Sequence, residues 1–136
     1  MKIRVLLVDD HAVIRDTLRM ILEMTSDIEV VGEVCTGKDV LVAVGKTSPD
    51  VVCMDINMPD MNGIDATRQL LAIYPNVKII GLSAHTNHAP AAAIIDAGAS
   101  SYISKEEAGS KLADAIRTVC TSPARLRPSL TRKDID

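Results

Sequence analysis

Short apolar runs alternate with amphipathic segments along most of the chain, and this alternation constrains the fold more than any other feature. Ile3 to Val8, Ile28 to Val34, Val51 to Met54, Val77 to Leu82 and Ser101 to Ile103 have the length and aliphatic, β-branched character of buried strands. Helix-like stretches lie between and after them. His11 to Met24 carries Ile14, Leu18, Ile21 and Leu22 on one stripe. Lys38 to Gly45 ends near Ser48-Pro49, Ile64 to Ile73 stops before Pro75, and Ala91 to Ala97 is closed by Gly98 as a C-cap. Glu106 to Val119 presents Leu112, Ile116 and Val119 on its apolar face. Five strands alternating with five helices predict an α/β fold in which one parallel sheet is covered on both faces. Right-handed crossovers leave few topologies for it.

In open parallel sheets, ligands bind beyond the carboxyl ends of the strands. Those ends carry Asp9 and Asp10 after the first strand, Asp55 after the third, Ser83 after the fourth and Lys105 just past the fifth. Three carboxylates brought together resist ionising. A hard divalent cation relieves that repulsion, and Mg²⁺ takes octahedral oxygen ligands, commonly one or two carboxylates with waters and a phosphate. A carboxylate is also a competent nucleophile. A metal, an ammonium and a hydroxyl around it would neutralise the oxygens of a transferring phosphoryl group. The set therefore points to phosphoryl transfer onto an aspartate, with Mg²⁺ as cofactor.

Singly, these residues have plainer explanations. Asp9 or Asp10 could cap the helix that starts near His11. The loop over residues 55–63 could be an ordinary connection, with Pro59 restricting Met58 and Gly63 free to take a positive φ. His11 reads as the start of the first helix, and His85 and His88 as surface residues without a partner at metal-ligand spacing.

Bulk properties narrow the classes. The length of 136 residues suits one domain, and 47% apolar residues suffice for a core, although without Phe or Trp it must be aliphatic. A formal net charge of −3 lacks the basic footprint of a nucleic-acid binder. Cys35, Cys53 and Cys120 show no metal-ligand spacing and read as reduced thiols, Cys53 within the core, which fits a cytoplasmic location. The apolar run at the N-terminus is too short for a signal peptide. No stretch approaches the roughly 20 apolar residues of a membrane helix, so no membrane partner is expected.

The segments LLVDDH (Leu6 to His11), MDINMPDMNG (Met54 to Gly63), GLSAH (Gly81 to His85) and GASSYISK (Gly98 to Lys105) resemble the receiver domain of bacterial two-component response regulators. With VVGEV (Val30 to Val34), they are most similar to the NarL/LuxR type. The resemblance implies a flavodoxin-like sheet of order 2-1-3-4-5. It implies that Asp55 is phosphorylated by a sensor histidine kinase, that Asp10, Asp55 and the backbone carbonyl of Asn57 bind Mg²⁺ directly, and that Asp9 reaches the metal through water. Lys105 would pair with the phosphate, Ser83 would be the switch hydroxyl and Tyr102 the switch aromatic, the plainer alternative being that Tyr102 is simply packed in place. Two features depart from the commonest pattern: Glu106 follows the lysine where many members have Pro, and Pro90 forces the fourth helix to start late, near Ala89 or Pro90.

The same resemblance divides the chain into a receiver domain over residues 1–121 and a segment over 122–136. The latter holds a linker and, from Leu130 to Asp136, a stretch similar to the opening of a LuxR-type helix-turn-helix. Its implied role is control of transcription through an attached DNA-binding domain, with homodimerisation on phosphorylation; the alternative is a stand-alone receiver acting in a phosphorelay or by protein contact. Aspartate-dependent phosphohydrolases usually place a second acid two residues after the nucleophile. Here that position is Asn57, which supplies no titratable proton, so self-modification of Asp55 is expected and turnover of a metabolite is not.

Overall fold

The computed structural model describes residues 2–58, 62–83 and 89–121. Its elements are β1 (Ile3–Val8), α1 (Ala12–Glu23), β2 (Ile28–Val34), a 3₁₀ turn (Gly37–Asp39) running into α2 (Val40–Thr47), β3 (Val51–Asp55), α3 (Gly63–Ile73), β4 (Lys78–Ser83), α4 (Ala89–Asp96), β5 (Ser101–Ser104) and α5 (Lys105–Thr121). The strands are all parallel and lie in the order β2-β1-β3-β4-β5, as the flavodoxin-like expectation required. The expectations that fall on residues 59–61, 84–88 and 122–136 lie outside the described residues; they concern Pro59, His85, His88, the linker and the segment similar to a helix-turn-helix.

Alternate side chains of each inner strand feed two cores. Val5 and Leu7 pack with Leu18, Leu22, Leu112 and Ile116 on the α1/α5 face. Leu6 and Val8 pack with Val40, Val44, Leu70 and Ile94 on the other. Every residue of β3 is buried, as befits the middle strand of a sheet covered on both sides. Cys53 is part of this interior, and burial pushes its thiol up to about 12. It is a packed thiol rather than a reactive one.

Helix ends differ from expectation in ways that matter for the strand tips. α5 starts at Lys105 because Ser104 caps it. The Glu107 N–H donates to Ser104 Oγ at 3.3 Å, and Ser104 Oγ donates to Glu107 Oε1 at 3.1 Å, a Ser-x-x-Glu box. α3 starts at Gly63, with Asn62 Oδ1 accepting the Asp65 N–H at 2.8 Å. Gly63 does not take a positive φ; among the described residues only Ser48 and Gly98 do. It is glycine for space. A Cβ there would lie 2.8 Å from Ile56 Cα and closer still to the Asp55 carbonyl oxygen. The α2 region begins with the 3₁₀ turn, so its α-helical part starts two residues later than Lys38 and runs on to Thr47.

α4 starts at Ala89, which places Pro90 in the first turn where its missing N–H costs nothing. Its other end is a Schellman motif. The Ala99 N–H donates to Ile94 O and the Gly98 N–H to Ile95 O, both at 3.0 Å, with Gly98 at φ +120°. Gly98→Ala should therefore destabilise the domain by about 1–3 kcal/mol, because a side chain is strained at that φ and would also strike Leu71 Cδ1. Urea denaturation checks this, and an unchanged midpoint would contradict it.

Candidate functional site

β1 and β3 are neighbours, so their last residues meet at one edge of the sheet. Asp9 follows β1 directly, and its N–H donates to Val34 O at 3.0 Å, tying the strand end to β2. Asp55 ends β3, and the next N–H, from Ile56, donates to Leu82 O on β4 at 2.9 Å. Both aspartates are only 1% exposed. Lys105 reaches between them from the first turn of α5. Its Nζ lies 2.7 Å from Asp9 Oδ2 and 3.3 Å from Asp55 Oδ2.

Asp55 Oδ1 accepts the Asn57 N–H at 3.0 Å. Asp10 is more open, with its side chain 26% exposed. Carboxylate oxygens of Asp9, Asp10 and Asp55 and a ring nitrogen of His11 all lie within 4.8 Å of one another.

One ammonium among three carboxylates leaves the cluster short of positive charge. Burial pushes the Asp55 carboxyl up to about 6; the Asn57 N–H pulls it down, Asp9 adds to the rise, and Lys105 opposes it. Burial alone would lower the Lys105 ammonium, but the carboxylates of Asp9 and Asp55 outweigh it and hold its pKa above the ordinary value. Asp9 Oδ2, Asp10 Oδ1 and Asp55 Oδ2 are buried oxygens that accept no aligned hydrogen bond, although Lys105 stands close to two of them. Hard, anionic oxygens with lone pairs to spare suit Mg²⁺.

The other expected residues fall around this core of the site. Ser83 is fully buried at the end of β4, next to Leu82, whose register partner is Asp55, and opposite Ser104. Tyr102 lies on β5 opposite Gly81, partly buried against the α3/α4 side of the core. Asn57 is exposed.

The capping explanation for the first acids does not hold. The residue preceding α1 is His11, whose side chain makes no cap hydrogen bond, and Asp9 Oδ1 accepts the N–H of His11 itself at 2.8 Å. His11 is also more than a helix start. Its Nδ1 stands 3.2 Å from Asp9 Oδ1 and 3.1 Å from Asp10 Oδ1. Arg15 is a further member that the sequence did not reveal. Its Nη1 donates to the Asp9 carbonyl oxygen at 2.5 Å and its Nε to Glu33 Oε1 at 3.3 Å, bracing the tip of β1 against β2. The only trace in the sequence is a cation one turn into a helix that follows paired acids.

The Asp55 shift has a consequence for stability. The folded state keeps this proton up to about pH 6, whereas the unfolded chain releases it near 3.8. Its stabilising contribution is complete below the unfolded value and is lost as pH rises through the folded one. Asp55→Asn should therefore gain stability over wild type between about pH 4 and 6, by up to about 3 kcal/mol at pH 7.5. Added Mg²⁺ should shrink that gap. Urea midpoints across this range check it; a constant difference with pH would contradict it.

The sequence profile of the response regulator receiver domain matches residues 5–117. Over 130 residues the chain is 38% identical to the transcriptional regulatory protein DegU of Brevibacillus brevis, covering 96% of this chain and 55% of that protein. Over 117 residues it is 43% identical to the response regulator UvrY of Escherichia coli K12, covering 86% and 54%. The chain thus spans about half the length of these relatives. Among solved structures it is similar to a LuxR-family two-component response regulator from Aurantimonas sp. SI85-9A1, with a TM-score of 0.86, 28% identity and coverage of 99% and 96%. The response regulator domain of Thermotoga maritima CheB gives 0.84, 29%, 90% and 99%. With the sheet order and the strand-end acids, these matches make the chain a member of the response regulator receiver domain family, of the NarL/LuxR type.

Proposed function

We propose that this domain signals through phosphorylation of Asp55, with Mg²⁺ bound by Asp10, Asp55 and the backbone carbonyl of Asn57, and by Asp9 through water. The observation that carries this is the buried Asp55 carboxylate at a strand tip, with the Lys105 ammonium 3.3 Å away and Asp9 and Asp10 alongside. Asp55 attacks the phosphorus of the donor. The bond from phosphorus to the donor's histidine nitrogen, or to the acyl oxygen of acetyl phosphate, breaks, and the leaving group takes that electron pair. Mg²⁺ would offset charge on the phosphoryl oxygens and on the carboxylates around them. Lys105 pairs with the phosphoryl group and Ser83 donates its hydroxyl to it, while Tyr102 turns inward as Ser83 moves. This shifts a two-state equilibrium of the fold rather than building a new one. The change is self-modification; no metabolite is turned over.

The donor is a sensor histidine kinase. The output is an attached DNA-binding domain, a reading supported by the segment Leu130 to Asp136, by the longer relatives and by the name of the DegU relative as a transcriptional regulatory protein. α1 and its C-cap residue leave Val13, Met20 and Met24 at 75%, 69% and 84% exposure, which supports this helix as a contact face for a homodimer or a kinase. Residues 1–121 form the receiver, and the rest belongs to linker and output. Among the described residues no helix is long and apolar enough to cross a membrane.

Incubation with Mg²⁺ and acetyl phosphate should add one phosphoryl group to the intact mass. The adduct should vanish in Asp55→Asn and without Mg²⁺; an adduct retained by that variant would refute the assignment. Lys105→Gln should slow formation on the order of 10²-fold, the scale of losing one preorganised charge donor. In a gel-shift assay the chain alone should leave a DNA duplex unshifted at physiological salt, and tight salt-resistant binding would overturn the division between receiver and output.

A further inference from the structure

We infer that His11 adds a nitrogen ligand to the acidic cluster, so that the site takes borderline divalent cations such as Ni²⁺ and Co²⁺ in competition with Mg²⁺. This rests on the reading of the cluster as a metal site and extends it to a second class of ion. His11 Nδ1 shares a hydrogen bond with Asp9 Oδ1 at 3.2 Å and stands 3.1 Å from Asp10 Oδ1, so an ion would take the place of a proton among these atoms. Two ligands at right angles on one ion, with bonds of about 2.1 Å, are about 3 Å apart. The same nitrogen is within 4.8 Å of an Asp55 oxygen. Asp9 and Asp55 are 1% exposed, and the Oδ2 of each accepts no aligned hydrogen bond, with Lys105 Nζ 2.7 and 3.3 Å away.

The backbone N–H of His11 also fixes the residue beside the acids. The His11 N–H is pinned to Asp9 Oδ1 at 2.8 Å, the ring makes no cap hydrogen bond to α1, and its side chain is 64% exposed, so an ion can reach it from solvent. Mg²⁺ is a poor match for nitrogen and binds through oxygens. Imidazole suits later first-row ions, whose affinity for such sites rises toward Ni²⁺ and Cu²⁺. A three-carboxylate, one-imidazole set therefore favours them over Mg²⁺. Because both ions use Asp55, occupancy by the borderline ion excludes Mg²⁺ and holds the phosphorylated position as a ligand.

Calorimetric titration of the whole chain with NiCl₂ at pH 7.5 tests this. One Ni²⁺ should bind per chain and excess Mg²⁺ should displace it. His11→Asn should weaken Ni²⁺ on the order of 10-fold or more, while Mg²⁺ affinity stays within about twofold. The joint variant His85→Asn/His88→Asn should bind Ni²⁺ as wild type does. Co²⁺ should give weak visible bands without thiolate charge transfer, separating this site from Cys35 and Cys120. Unchanged Ni²⁺ affinity in His11→Asn would overturn the inference. So would equal loss of Ni²⁺ and Mg²⁺, which would mean that His11 only arranges the acids. Urea midpoints of the variants guard against misfolding. Acetyl phosphate labelling with Mg²⁺ on the same samples keeps the two claims apart: failure of wild type to label would sink phosphorylation of Asp55 and leave the Ni²⁺ result standing.

Discussion

A single ammonium, Lys105 Nζ, stands between two buried carboxylates, and the geometry of the strand tips follows from that arrangement. Removing a carboxylate from water costs several kcal/mol unless it is paired. Here two are removed, a third lies beside them, and one ammonium serves the two buried ones. Burial, with the neighbouring Asp9 adding to it, pushes the Asp55 carboxyl up to about 6. A folded domain tolerates this because the two aliphatic cores on either side of the sheet hold β1 and β3 in place. The cost is localised where a bound cation would relieve it.

Holding Lys105, Asp9 and Asp55 together takes several local devices. Ser104 and Glu107 fix the first turn of α5, and with it the root of the lysine. Gly63 lets α3 lie directly against the backbone of Asp55 and Ile56. Arg15 grips the carbonyl oxygen of Asp9 and is itself held by Glu33. None of these groups need touch a ligand, yet each limits how far a strand-tip carboxylate can drift, and tenths of an ångström matter in a charge cluster of this kind.

Much of this was legible in the sequence. β1 and β2 span the expected residues because both are aliphatic runs with sharp polar borders, and the acids at the tips are visible once strands are assigned. The register that joins Asp9 to Asp55 follows from parallel pairing of neighbouring strands. Less visible was anything that depends on contacts between distant segments. Gly63 looked like a residue needed for a positive φ, whereas it is needed for close approach of backbone to backbone. The turn at Gly37–Asp39 has the composition of a helix start but closes as a 3₁₀ turn. His11 and Arg15 have ordinary helix-start and helix-face sequence contexts, and only the fold brings them onto the carboxylates.

The most direct measurement of the central claim is reductive trapping. After brief treatment with Mg²⁺ and acetyl phosphate, borohydride converts an aspartyl phosphate to homoserine, and peptide mass spectrometry locates the product. Conversion at position 55 alone is the predicted result. Conversion at Asp9 or Asp10 instead would contradict it, because Asp55 would then not be the nucleophile of this cluster.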